Sequence, residues 1–173
     1  MKHQLHKKVG VLLKEYAKQN GFEAILDSAC EDNSKRHISL FSSAKSHKIE
    51  TRLCCVDAML LKDGKVAVVI EIEETGFLPT KICGKYLTTA LSRAYNREGK
   101  LIVMKEKSVN FIQILDTSSL APSSRKPKQF ENIKEAINNN PYGCVKSYDV
   151  VYINKEKDSG NLKKKLYDIL MDI

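Results

Sequence analysis

Three acids set in and beside one apolar stretch carry the chemistry that this chain could do. They are Asp57, Glu71 and Glu73 of LCCVDAMLLKDGKVAVVIEIEE, residues 53–74. Side chains on a strand alternate between its faces, so Glu71 and Glu73 share a face while Glu74 takes the other. Asp57 lies mid-way along the preceding apolar run, and an antiparallel hairpin would carry its carboxylate towards the pair. Carboxylates gathered inside a β-rich segment cost desolvation and mutual repulsion, which a bound divalent cation offsets. The same residues also read as a solvated acidic strand end.

Positioning them falls to a hairpin of two strands, 53–61 and 65–74, turned at Lys62, Asp63 and Gly64, since Asp-Gly between apolar runs favours a tight turn. Val66, Val68, Val69, Ile70 and Ile72 suit the second strand to a buried place in a sheet. Before it, Leu5, Val9, Leu12, Leu13 and Tyr16 recur at helical spacing until Asn20-Gly21, with Glu15 at the edge of the stripe. Short strands are expected over 22–26 and 37–41, with a polar connection over 42–51.

After the acids, Pro79 suits a helix start, and the spacing predicts a helix over 80–95 with Ile82, Tyr86, Leu87, Ala90, Leu91 and Ala94 on one buried face. Lys81, Lys85, Arg93 and Arg97 lie off that face as a basic edge. A strand over 100–104 is expected beside the hairpin strands, and another over 110–115. Residues 118–128 read as an exposed loop in which Arg125, Lys126 and Lys128 are available to phosphate oxygens. A helix over 130–138, a strand over 148–153 and a last helix opened by Asp158-Ser159-Gly160 follow. The last helix has a stripe of Leu162, Leu166, Ile169, Leu170 and Ile173, which must be covered by the sheet or by a second copy in a homodimer.

Asp57 followed by Glu71-Ile72-Glu73 at the end of the next strand resembles the metal-binding signature of the PD-(D/E)xK nuclease superfamily, which includes restriction endonucleases and Holliday-junction resolvases. The element order helix, strand, strand, strand, helix, strand extends the resemblance over about the first two-thirds of the chain. It implies a single α/β domain with a restriction-endonuclease-like mixed central sheet flanked by helices, its core at about 1–105 and an extension at about 106–173. It also implies a metal-dependent endonuclease acting on DNA, in restriction or another DNA-processing role. Asp57 and Glu71 would hold Mg²⁺ or Mn²⁺, with Glu73 as general base or ligand of a second ion and Glu15 as a further carboxylate from the first helix.

Two departures bear on this. Val56 stands where the family has proline, a turn preference without chemical role. Glu73 stands where the family has lysine, giving the E-x-E variant, so Lys85 or Lys81 of the following helix is expected to supply the positive charge, with Lys85 preferred. The alternative is a nuclease-like module that binds nucleic acid or a protein partner without cutting.

The chain has 173 residues, 42% of them hydrophobic and 29% charged, enough for one domain with an ordinary core. A net charge of +8 points to a polyanionic partner, most simply double-stranded DNA, with Lys81, Arg93, Arg125, Lys126 and Lys128 as its contacts. No apolar run approaches the roughly 20 residues that span a bilayer, which fits a soluble cytoplasmic protein. The five cysteines include no C-x-x-C pair and read as reduced, mostly core thiols. His3 and His6 read as solvated residues near the chain start. Neither a phosphate-binding P-loop, a dinucleotide fingerprint nor a nucleophile elbow occurs.

Overall fold

The computed structural model describes residues 4–32, 37–76, 78–154 and 160–173. Its frame is a five-stranded sheet of β1 (Glu23–Leu26), β4 (Ala58–Lys62), β5 (Lys65–Glu73), β8 (Val109–Asp116) and β9 (Val145–Ile153), in that spatial order. β1, β4 and β5 pair antiparallel, whereas β5, β8 and β9 run parallel. A second sheet places β3 (Arg52–Val56), β2 (Ile38–Phe41), β6 (Ala94–Arg97) and β7 (Lys100–Val103) side by side. The whole is a single α/β domain with both faces of the central sheet covered.

One face lies under α1 (Gln4–Asn20) and α4 (Leu162–Met171), which pack Leu5, Val9, Leu13, Leu166 and Leu170 onto Val68, Ile70, Ile72, Ile112 and Ile114. The other lies under α2 (Pro79–Ala90), α3 (Lys126–Asn139) and the second sheet, which bury Ile82, Tyr86, Phe130, Ile38 and Leu40 against Val69, Phe111 and Leu115. The expected fold class is therefore present, a mixed sheet flanked by helices. Leu162, Leu166 and Leu170 of the last stripe are covered by the sheet and α1, whereas Ile169 is partly buried and Ile173, beyond the helix, is exposed.

Turn chemistry holds where glycine is required. Asp63 (φ 51°) and Gly64 (φ 72°) make the two-residue primed turn between β4 and β5. Gly143 has φ +58°, and a Cβ there would lie 1.9 Å from the Ala90 carbonyl oxygen, which also accepts from the Cys144 amide at 3.0 Å. This close approach ties the end of α2 to the start of β9.

Several elements differ from the sequence-based expectation. The apolar run 53–61 is two strands in two sheets, parted at Asp57. There the Asp57 carbonyl accepts from the Asp27 amide at 3.0 Å, and the chain leaves β2 to join β1. Strand β7 pairs with β6, not with the hairpin, and β8 takes the place beside β5. The division at about residue 105 is consequently not a structural boundary, because β8 and β9 complete the central sheet. Helix α2 stops at Ala90, since Ala94 and Tyr95 are drawn into pairing with Phe41 and Leu40. Leu87 and Leu91, placed on its buried face by spacing alone, are exposed. Helix α3 begins at Lys126, inside the stretch read as loop. Asp158 and Ser159 lie outside the described residues.

Candidate functional site

Glu71 and Glu73 close β5, on the face that looks towards α2. A bulge sets this direction: Leu61 pairs with Val66 but Leu60 with Val68, leaving Ala67 extra, with its carbonyl accepting from Asn110 Nδ2 at 3.1 Å. Val66, Val69, Glu71 and Glu73 consequently share one face and Val68, Ile70 and Ile72 the other. Apolar packing on both sides keeps β5 central, so its two acids are buried at 1% and 4% relative exposure.

The break at Asp57 gives that residue its place beside them. Its Oδ2 accepts from the Ile72 amide at 2.7 Å, which fixes the carboxylate between Glu71 and the first helix. Its side chain retains 18% exposure, so the site opens towards solvent along this edge. Glu71 has its pKa pushed up to about 8, first by burial and next by the Asp57 carboxylate, against the opposing pull of Lys85. Two acids of like charge in a desolvated place account for the direction.

Lys85 sets a positive charge beside the two buried acids. One turn further along α2 than Lys81, its Nζ lies 2.5 Å from Glu71 Oε2 and 2.8 Å from Glu73 Oε1. Burial works against its charged form, but Glu71 and Glu73 outweigh this and hold its pKa above the ordinary lysine value. The contact with Glu73 Oε1 is close without a hydrogen-bonding angle, so that buried oxygen accepts no hydrogen bond among the described residues. Lys81, expected either to supply this charge or to contact phosphate, lies 2.6 Å from Glu73 Oε2 while staying half exposed.

Behind Asp57 lies a residue that sequence reasoning missed. His6 is buried, its Nδ1 2.8 Å from Glu74 Oε1 and its Nε2 3.7 Å from Asp57 Oδ2. Glu74, on the opposite face from Glu71 as alternation requires, also accepts from the amides of Leu5 and His6, a favourable place for an anion at a helix N-terminus. Reading His6 as solvated was wrong. The signal lay in the recurrence of His6, Gly10, Leu13 and Ala17 on one helical face. That face packs so closely that a Cβ on Gly10 would meet the Cys30 carbonyl oxygen at 2.3 Å. His3 lies outside the described residues.

Other expected site residues are elsewhere. Glu15 does not reach the acids: it pairs with Lys163 of α4 at 2.5 Å, on the outer side of α1, where α4 intervenes as a nearer partner. Arg93 is exposed between α2 and β6, held by its backbone to Phe41 and Met104. Arg125 caps α3 and Lys126 and Lys128 form its first turn. These three follow the loop from the end of β8, where Leu115 is the register partner of Glu73, so the chain enters them from the same edge of the sheet as the acids.

The arrangement therefore gathers Asp57, Glu71, Glu73 and Lys85 at the carboxyl end of a parallel strand, the edge where open α/β sheets bind ligands. Among the described residues, no three His, Cys, Asp or Glu side chains are close enough to cage a metal ion. All five cysteines are free, and of these Cys30 and Cys144 are buried. No helix among the described residues is long and apolar enough to cross a membrane. No protein-family model matches the chain, and no curated protein or solved structure is significantly similar to it.

Proposed function

We propose that this protein is a metal-dependent endonuclease that hydrolyses phosphodiester bonds in double-stranded DNA. The observation that carries the reading is the meeting of Glu71, Asp57 and Lys85. Two carboxylates and an ammonium group converge at one desolvated strand end, the residue types that the PD-(D/E)xK resemblance leads one to expect there. Lys85 and Lys81 offset Glu71 and Glu73, and Asp57 adds a further acid beside them at the cost of a Glu71 carboxyl held far above its ordinary pKa.

The donor set fits Mg²⁺ or Mn²⁺. Magnesium is commonly held by one or two carboxylates with water completing its shell, so a three-residue cage is not required. Asp57 and Glu71 are the two that would hold it, and Glu73 Oε1, in ion-pair contact with Lys85 but accepting no hydrogen bond among the described residues, is an acceptor beside them. When bound, the ion lowers the pKa of an attacking water and neutralises charge on the phosphoryl oxygens.

The chain's own groups supply the rest. Lys85 sets a positive charge beside the acids, where it stabilises the negative charge that grows on phosphorus. Glu73 takes the proton from the attacking water at Oε1. Asp57 is oriented for its task by the Ile72 amide. Arg125, Lys126 and Lys128, which follow the end of β8 on the edge that carries the acids, contact the backbone beside the scissile bond, whereas Arg93 lies at the other end of the parallel strands, near Cys144.

The test is cleavage of supercoiled and linear DNA with Mg²⁺ or with EDTA. Wild-type protein should cut with Mg²⁺ and not with EDTA, and Asp57→Ala and Glu71→Ala should lose at least about 100-fold in rate while remaining folded. Cutting by either variant at the wild-type rate would refute the assignment. Duplex binding without cutting at any divalent ion would favour the second reading, a nuclease-like binding module, for which the ammonium partners of Glu71 and Glu73 provide the motive: both acids are charge-compensated without an ion.

A further inference from the structure

At the other end of β5 a different surface opens. The β4–β5 turn and the β6–β7 hairpin face each other across a cleft of about 740 Å³. Its floor is apolar, made by Val66, Leu101, Ile102 and Val103, and its rim is basic. Asp63 is the one acid among the described lining residues.

Two rim cations are already engaged. Arg97 makes a two-pronged contact with Glu23, at 2.7 and 2.6 Å, and Lys62 lies 4.8 Å over the Phe22 ring. Lys65, Lys100 and Lys105 are exposed and have no carboxylate partner among the described residues. Three uncompensated ammonium groups around one concave surface create a positive potential that the fold does not use internally.

We infer that this cleft is a second DNA contact, gripping the phosphate backbone of the same duplex whose scissile phosphate lies at the acids. The identity of the polyanion as DNA rests on the nuclease reading, whereas the anionic character of the occupant rests on Lys65, Lys100 and Lys105 alone. Spacing is what allows a shared duplex. Val66 in the cleft floor and Glu71 and Glu73 lie at the two ends of β5 on the face that the second sheet and α2 cover over Val69, so the duplex would pass across the outside of those elements. β5 has nine residues, so its ends are about 26 Å apart at about 3.3 Å per residue. That is about eight base pairs of duplex at about 3.4 Å each. Duplex DNA presents a charge every 1.7 Å or so along its axis, and its sugar edges suit an apolar floor between cations.

The experiment is duplex binding in EDTA across a salt series, using a 30-base-pair DNA, with cleavage measured separately in Mg²⁺. The triple variant Lys65→Gln, Lys100→Gln, Lys105→Gln is compared with Lys8→Gln, Lys18→Gln, Lys164→Gln, which removes equal charge from the surface of α1 and α4. Affinity should fall roughly tenfold or more in the cleft variant, and the slope of log affinity against log salt should become shallower by about 2.7 for three lost phosphate contacts. The control triple should change both far less, and Lys→Arg at the three cleft positions should restore binding. Equal losses in the two triples would overturn the cleft assignment, and so would displacement of DNA by polyglutamate at equal charge, which would give the cleft to an acidic protein. Wild-type protein that never cuts, yet loses affinity in the cleft triple, would sink the nuclease reading and leave the cleft standing. A normal cutter with unchanged affinity in that triple would do the reverse.

Discussion

At the residue scale Lys85 decides how the acids are tolerated. Replacing it by Ala leaves Glu71 and Glu73 buried without their shared cation, and the loss of one partner of a buried pair costs about 3–5 kcal/mol. Chemical denaturation of Lys85→Ala at pH 8 should show a loss of that size, with cleavage reduced at least about 100-fold; stability within about 1 kcal/mol of wild type would mean that the acids are solvated. Glu71 yields a second prediction, this one in pH. Its folded pKa near 8 lies above the ordinary value of 4.5, so the folded state holds a proton that the unfolded chain has already released. Its contribution to stability is therefore intact below about pH 4.5 and is lost as pH rises towards 8. A divalent ion needs the ionised carboxylate and reverses this cost, so the rise in melting temperature on adding Mg²⁺ should grow from pH 6 to pH 8. Glu71→Gln should abolish that growth, and a pH-independent Mg²⁺ effect in wild type would remove Glu71 from the ligand set. Of these residues the sequence made Asp57, Glu71 and Glu73 legible through strand alternation, and Lys85 through its place one turn beyond Lys81 on a basic helix edge. His6 was not legible as a neighbour of Asp57. Its partners, Glu74 and Asp57, are more than fifty positions away, and a polar residue near a helix start is more often solvated.

At the element scale the acids depend on a break and a clasp. The break divides the run 53–61 at Asp57. Residue pattern could not reveal it, because both halves are apolar β-formers and the parting is a choice of partner, β2 before Asp57 and β1 after it. The bulge at Ala67 was hidden for the same reason: register is set by pairing, and a single extra residue shifts phase without altering composition. What could be read were elements whose signals are local, namely α1 up to Asn20-Gly21, the Asp63-Gly64 turn and the Pro79 helix start. Helix α2 was extended too far because Leu91 and Ala94 continue its spacing, whereas pairing of β6 with β2 wins beyond Ala90. The clasp is Gly143 on the Ala90 carbonyl, which fixes the far end of the helix that carries Lys85. A Gly143→Ala change requires both a strained φ and displacement of that carbonyl, so a loss of roughly 2–4 kcal/mol is expected by denaturant unfolding. A neutral result would show that α2 can shift away from β9 at no cost, and Lys85 would then not be held in place from this end.

At the scale of the whole molecule, the first and last helices close on one another over the face of the sheet opposite the acids. Tyr16 donates to the Leu170 carbonyl at 2.7 Å and Tyr167 to the Leu12 carbonyl at 3.2 Å, with Lys163 and Glu15 joined outside them. This double-tied pair presses Leu162, Leu166 and Leu170 onto the same cluster as Ile70 and Ile72, the residues that alternate with Glu71 and Glu73. The backing of the acids is therefore supplied by the two ends of the chain, and sequence left open whether the last stripe was met by the sheet or by another copy. Leu166 has no exposed surface, and truncating a fully buried leucine costs about 2–5 kcal/mol. Leu166→Ala should lose that much, and its melting temperature, like that of the wild type, should not vary with protein concentration, since Leu162, Leu166 and Leu170 are buried within one chain. A melting temperature that rises with concentration would instead show that a second copy shares this face, and the support for β5 would then belong to an assembly.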